Sequence, residues 1–359
     1  MATRAIAEKW LRELTFLPTA SGLEHRVVDW VTKWVGRRSD LKLAIDSGGN
    51  LLITQKGRKT RPAVLAVAHM DHPAFVATHV DGARVSFEFR GGVNPEYFAD
   101  ARVEFADPAP GVGGRIVSYD PETQTGEILA SGSGVKPGSI GMWKFPRTRS
   151  VRDRFRAPAC DDLAGCAAAL AALDRARGNP RLRHFGVLLT RAEEVGLVGA
   201  IHAAKTRSIP EDARILSIET SRASANAPIG AGPVIRIGDA VTVFDAELSN
   251  RLAGAVAASG IRHQRKLMDG GGCEATAFGV YGYQSTGLCL ALGNWHNRGN
   301  LDEFEAGTGS PIPMLEEISI ADFHGLIDLL LVAASGVDAQ PTLKNRFDQH
   351  YEEVAGILT

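Results

Sequence analysis

The sequence predicts an α/β protein: a mostly parallel sheet flanked by helices, with a smaller all-β domain inserted into it. Three observations carry this. Apolar runs that end in polar residues alternate with helix-periodic segments through the early part and the second half of the chain, the texture of strands joined by crossover helices. From about Phe75 to about Pro146 that texture gives way to short alternating segments separated by Gly, Pro and Asp, which reads as an all-β module. Finally, 359 residues exceed the usual size of one core. The expected division is a larger domain in two pieces, 1–74 and 147–359, interrupted by a β-rich insertion at 75–146.

Each element has its own signal. The N-terminal MATRAIAEKWLRELTFLP alternates charged and apolar residues at helical spacing, so it reads as a folded helix and lacks the unbroken apolar stretch of a secretory signal. Ser21 is the candidate N-cap of a second helix whose Leu23, Val27, Val31, Trp34 and Val35 share one face. Leu41 to Ile45 and Leu51 to Thr54 flank Ser47, Gly48, Gly49 and Asn50, a glycine-rich turn that closes a β-hairpin. A buried strand at Ala63 to Ala68 ends at His69. Within the insertion, Arg84 to Arg90 and Arg102 to Phe105 alternate as strands do. An Ala-rich helix from about Asp162, a strand at His184 to Thr190, a helix at Gly196 to Lys205 and a strand at Arg214 to Ile218 follow. The segment from Gln340 to Thr359 is a further helix or a loose end.

Composition narrows the function. Hydrophobic residues at 44% and charged residues at 23% are those of a folded globular chain. A net charge of −1 provides no field to recruit nucleic acid or anionic lipid, and no apolar run of membrane-spanning length is expected. Cys160, Cys166, Cys273 and Cys289 are too few and too scattered for a disulfide scaffold, so a reducing, cytoplasmic setting is expected.

In open α/β sheets, ligands bind beyond the carboxyl ends of the strands, and this chain concentrates acids and imidazoles there. HMDHP places His69 and Asp71 after the first buried strand, TRAEEVG places Glu193 and Glu194 after another, SIET places Glu219 after a third, and GLCLALGNWHN delivers His296 after a fourth. ACDDLAG sets Asp161 and Asp162 at a helix start. Singly, each has a plain structural reading: a strand-end histidine, an N-cap pair, a solvated glutamate pair. Their joint placement favours a metal site. Two imidazoles with several carboxylates suit zinc, cobalt or manganese. A carboxylate bridging two ions roughly 3.5–4 Å apart permits activation of water and stabilisation of an oxyanion together. Adjacent glutamates diverge in a turn, so one can ligate metal while the other accepts a proton. A cysteine hydrolase built on Cys160 or Cys273 lacks an evident histidine partner.

Taken in order, HMD, DD followed by LAG, EEVGLVGA, SIET and NWHN resemble the tetrahedral-aminopeptidase family of dinuclear zinc metallopeptidases, of glutamyl or deblocking aminopeptidase type, over nearly the whole chain. The insertion, VSFEFRGGVNPEYFADARVEF, is similar to that family's inserted β domain, and IRHQRKLMDGGGCEATAF follows its glycine-rich pattern. The resemblance implies a zinc-exopeptidase-like fold and two divalent ions per subunit, Zn2+ first and Co2+ or Mn2+ as alternatives. It implies that Asp161 bridges them, that His69 and Glu219 complete one site and Glu194 and His296 the other. Glu193 would then be the general acid/base, Asp71 would orient His69, and a cis peptide would join Asp161 to Asp162. It further implies a peptide or small amide substrate, and homo-oligomers from dimer to dodecamer in which the inserted domain takes part.

The chain also departs from the family. Glu219 stands where aspartate is usual, Glu274 replaces an aspartate of the glycine-rich segment, His72 replaces an acid, and NWHNRG replaces the customary ending. These differences keep two rivals open: a deacylase or carboxypeptidase-type amidohydrolase with the same metals, and a non-catalytic binding module. His72, His263 and Arg298 are the candidates for lining the pocket.

Overall fold

The computed structural model describes residues 1–57, 61–107, 111–145 and 153–358. The expected boundary at 146/147 lies outside the described residues.

Two helices open the chain. In α1 (Arg4–Thr15), Thr3 caps the first turn by accepting the Ile6 amide, and Trp10, Leu11 and Leu14 are buried. In α2 (His25–Gly36), Val27, Val31, Trp34 and Val35 turn inward. Ser21 does not cap α2; the N-cap residue is Glu24, without a side-chain cap bond. The serine hydroxyl is buried and donates instead to Asp71 Oδ2 at 2.6 Å, because a charged acceptor makes the stronger bond. The hairpin β1 (Leu41–Ile45) and β2 (Leu51–Gln55) follows, its turn closed by Asp46 Oδ1, which accepts the amides of Gly48 and Asn50.

After β3 (Val64–His69) the chain enters six strands: β4 (Ala74–Asp81), β5 (Arg84–Arg90), β6 (Arg102–Phe105), β7 (Val112–Asp120), β8 (Thr125–Ala130) and β9 (Ile140–Trp143). They close into a barrel in the order β4-β5-β8-β7-β6-β9. Its interior is aromatic: Phe75 packs edge-on against Phe87, Phe89, Phe98 and Trp143 at centroid distances of 4.7–5.9 Å, the arrangement ring quadrupoles prefer.

The remaining elements return to the main sheet. They are β10 (Arg154–Ala157), α3 (Leu163–Ala176), β11 (Phe185–Thr190), α4 (Val198–Lys205), β12 (Arg214–Arg222), β13 (Val234–Arg236), α5 (Ala246–Ser259), β14 (Gln264–Lys266), α6 (Glu274–Val280) and β15 (Gln284–Leu292). Then come β16 (Arg298–Gly299), α7 (Leu301–Glu305), β17 (Ile312–Pro313), β18 (Glu316–Ser319), α8 (Ile320–Gly336) and α9 (Leu343–Val354). The eight-stranded sheet runs β1-β2-β11-β3-β12-β15-β13-β14. Its centre, β11-β3-β12-β15, is parallel; β2 joins it antiparallel on one side and β13 on the other.

Burial on both faces explains the unbroken apolar strands. In β3, Val64, Ala66 and Ala68 face the core that includes residues of α1, α3 and α8, whereas Leu65 and Val67 face that of α4 and α6. In α3 every residue but Arg175 is buried, and its alanines allow close approach to α1, α8 and β3. One helical stretch, Ile320–Ala339, is by length and hydropathy apolar enough to cross a membrane, which corrects the expectation that no such run exists. It packs on α3, α5 and β15. A second correction concerns β12, which continues to Arg222, so Glu219 lies within the strand.

Candidate metal centre

His69 closes β3, where the sheet ends and its imidazole can leave the core. Its Nε2 lies 3.4 Å from Asp161 Oδ1 and 3.9 Å from both Glu193 Oε2 and Glu219 Oε2. Its Nδ1 faces the Asp71 carbonyl oxygen at 3.2 Å. A carbonyl only accepts, so Nδ1 donates and Nε2 is the nitrogen presented to the carboxylates.

Asp161 precedes α3 and is joined to Asp162 by a cis peptide, as the resemblance implies. Its two carboxylate oxygens are divided: Oδ1 faces His69, while Oδ2 lies 3.6 Å from His296 Nε2. His296 Nε2 is also 3.2 Å from Glu194 Oε2, and its Nδ1 donates to the Gly92 carbonyl at 2.6 Å. Among the described residues three sets of ligand atoms, His69/Asp161/Glu219, Asp161/Glu194/His296 and His69/Glu193/Glu194, each gather within 4.8 Å, and Asp161 belongs to two of them. Four segments far apart in sequence, carrying His69, Glu194, Glu219 and His296, therefore converge on Asp161.

Several buried groups hold this arrangement. Asp71 accepts the backbone amides of Glu193 at 3.0 Å and Glu194 at 3.1 Å, so it steers the glutamate turn as well as His69. Glu24 holds the same turn from below, accepting Arg191 Nε at 2.6 Å and the Ala192 amide at 3.1 Å. Glu316, on β18, accepts the amides of Cys160 and Asp161 through Oε2 and that of His296 through Oε1, at 2.7, 2.9 and 2.9 Å. One buried carboxylate thus ties together the loops that carry two of the presumptive ligands. Thr220 places its hydroxyl 3.1 Å from Asp161 Oδ1 and Asp162 Oδ1. The sequence reading missed Glu24, Thr220 and Glu316; the EE pair of LEEIS offered a faint signal, but acids in such a pair are ordinarily solvated.

The electrostatics are those of a cation site. Burial opposes a charged imidazole at His296, but Glu194 and Asp161 outweigh it and raise its pKa to about 10. Burial and the neighbouring acids push Glu219 up to about 8 and Glu193 well above the usual carboxylate range. Burial also raises Glu274 to about 7. Glu194 Oε1 and Glu219 Oε1, which belong to the ligand sets, are buried without a hydrogen-bond partner, as are Asp162 Oδ2 and both Glu274 oxygens outside them. Buried carboxylate oxygens with no donor are unfavourable unless a cation meets them, so the donor set fits divalent metal.

Asp161, Glu193, Glu194, Glu219 and His296 line a cavity of about 560 Å3. Arg236, Met268 and Gly270–Gly272 also line it. Arg236 is buried and reaches Ser221 Oγ at 3.2 Å and the Met268 carbonyl at 3.1 Å. Its path crosses Gly287, where a Cβ would stand 2.9 Å from Arg236 Cβ.

The candidate lining residues lie elsewhere. His72 is buried behind Asp161, its Nδ1 2.6 Å from the Asp161 carbonyl and its Nε2 3.1 Å from Asn297 Oδ1. His263 bonds the Ile261 carbonyl beside β14. Arg298 stacks on Trp295 at 4.4 Å and lines the neighbouring cleft. All four cysteines are buried thiols. Burial raises each thiol pKa, that of Cys289 to about 11, which removes the thiolate a cysteine hydrolase needs.

Comparison with known proteins extends this picture. A family model described as M42 glutamyl aminopeptidase matches residues 120–303. Among solved structures, an aminopeptidase of the archaeon Desulfurococcus kamchatkensis superposes with a TM-score of 0.76 at 22% identity, covering 93% of this chain and 96% of its own. A TET aminopeptidase of a marine-sediment thaumarchaeon gives 0.76 at 20% identity, with 93% and 97% covered. A Pyrococcus horikoshii TET peptidase, described as assembling into a tetrahedron or a large octahedral shell, gives 0.73 at 20% identity, with 91% and 99% covered. No curated protein matches the sequence significantly.

Proposed function

The chain belongs to the M42 glutamyl aminopeptidase family, and from that membership we propose that it is a dinuclear metallo-aminopeptidase. His69, Asp161 and Glu219 would hold one divalent ion, and Asp161, Glu194 and His296 the other. The observation that carries the reading is the division of Asp161, one oxygen toward each imidazole. What such a pair of ions supplies when bound is acidification of water and polarisation of a carbonyl.

The chain's own residues do the rest. Glu193 accepts the proton of the attacking water and returns it to the leaving amine. Its burial among other acids pushes its pKa upward, the direction acid–base exchange near neutral pH requires. Asp71 fixes the imidazole of His69 and, through two backbone amides, the position of Glu193. The cavity, lined in part by Gly270–Gly272, receives the residue on the amino side of the scissile bond.

Glu193→Gln should leave metal content unchanged and lower kcat by roughly 10²–10⁴-fold; near-normal turnover would remove Glu193 from this role. A second reading, a deacylase or carboxypeptidase-type amidohydrolase, draws on Glu219 and on the buried cation Arg236 in the cavity. A panel of free-amine, N-acylated and carboxyl-terminal substrates separates the two. We further propose that the chain forms homo-oligomers through its barrel; light scattering on purified protein tests this.

A further inference from the structure

The two histidines of the cluster, His69 and His296, are oriented by different parts of the molecule. His69 is set from within the main domain, by the Asp71 carbonyl. His296 is set from outside it, because its Nδ1 donates to Gly92, which lies in the connection between barrel strands β5 and β6. The same connection holds the rest of the His296 loop. Asn94 Oδ1 accepts Arg298 Nη1 at 2.6 Å, and the buried Tyr97 hydroxyl donates to the Gly299 carbonyl at 2.8 Å. The Tyr97 ring also packs edge-on against Phe304 at 5.8 Å.

That loop needs outside support. Asn294, His296, Asn297 and Asn300 all have left-handed backbone, with φ of 55–61°, a region unfavourable for residues with a Cβ. The connection is in turn seated by Gly91, whose φ of +140° and close approach admit no side chain: a Cβ would come 2.6 Å from Pro73 Cβ. Pro73 lies directly beyond HMDH, so the barrel connection touches both histidine loops.

We infer that the inserted barrel is a positioning part of the metal centre: its Gly91–Phe98 connection orients His296, and cation binding at the Glu194–His296 pair depends on that contact. Nδ1 held as the donor leaves Nε2 to face the cation, and such outer partners ordinarily contribute 10–100-fold in metal affinity. This inference rests on the dinuclear reading above.

The test is titration of chelator-treated protein with Zn2+ against a competing indicator. It compares wild type, an Asn94→Ala/Tyr97→Phe double variant, and Arg84→Ala, which removes a surface ion pair elsewhere on the barrel. Wild type and Arg84→Ala should bind two Zn2+ per chain. The double variant should keep one and bind the second roughly 10-fold or more weakly. Replacing Asn94→Ala in the double variant by Asn94→Asp, which preserves an acceptor for Arg298, should restore affinity relative to the double variant. Circular dichroism verifies folding, and Tyr97→Phe alone carries the comparison if the double variant fails to fold. Fewer than two ions on wild type would overturn the dinuclear reading itself. Two ions on wild type, with unchanged affinities or equal loss of both in the variant, would overturn only the role of the barrel.

Discussion

Glu316 illustrates what a single buried residue can decide. Its two oxygens accept three backbone amides, from Cys160, Asp161 and His296, and a carboxylate is the one side chain that presents acceptors only on both oxygens. Glutamine at this position would aim an NH2 group at a backbone N–H on one side. Leaving such a buried donor unmet costs about 1–3 kcal/mol, so Glu316→Gln should lower thermal stability by that order. Because Glu316 holds the Asp161 and His296 loops together, the proposed metal centre implies that zinc affinity should also fall roughly 10–100-fold. Wild-type zinc affinity in a folded Glu316→Gln protein would show that the loops hold their geometry without it. At the same scale, Asp71 serves three groups at once, receiving Ser21 Oγ and the amides of Glu193 and Glu194 while its carbonyl sets His69.

Elements differ in how firmly they belong to the molecule. Helix α3 is buried along almost its entire length between the sheet and two other helices, and it follows directly from Asp161 and Asp162. Helix α9 is its opposite. It buries none of its residues, and Phe347 and Tyr351 are 70% and 61% exposed. Its attachment includes the Leu343 amide on Glu247 Oε2 at 2.9 Å. Since exposed contacts contribute little to stability, deletion of residues 343–359 should shift Tm by no more than about 2 °C and leave metal content unchanged. A larger fall, measured by scanning calorimetry, would mean that α9 is covered in the assembled protein. The barrel stands between these extremes, with its own aromatic core but with one connection committed to the His296 loop.

For the molecule as a whole, the buried carboxylates set a dependence on pH and metal. Burial raises Glu219 to about 8 and Glu316 to about 7, from an ordinary value of 4.5. Between the unfolded and folded values, the folded protein retains protons that the unfolded chain releases, so stability falls as pH rises. For Glu219 that window runs from 4.5 to about 8. His296, raised from 6.5 to about 10, works in the same direction, since its stabilising charge is lost as pH climbs. Chelator-treated protein should therefore lose Tm steadily from about pH 5 to about pH 8. Zinc takes deprotonated ligands, so the Tm increment it adds should grow across the same interval. Scanning fluorimetry with and without zinc checks this; an increment independent of pH would contradict it.

Apolar periodicity and strand-end acids are local properties of the chain, so they make the α/β texture readable and mark His69, Asp71, Asp161, Glu193, Glu194, Glu219 and His296 as candidates. Motif order, which records spacing and residue type, grouped His69, Asp161, Glu194, Glu219 and His296 as candidate ligands, and the fold brings these side chains together. Only the folded chain shows which oxygen of Asp161 faces which imidazole, and that Glu316 and Gly92 hold His296 from 20 residues after and 204 residues before it in the chain. It also decided that Ser21 serves Asp71 rather than a helix end, and that His263 stays away from the cavity. Such pairings depend on which buried donors and acceptors are brought within about 3 Å of one another once the sheet has formed, and no local pattern encodes that distance.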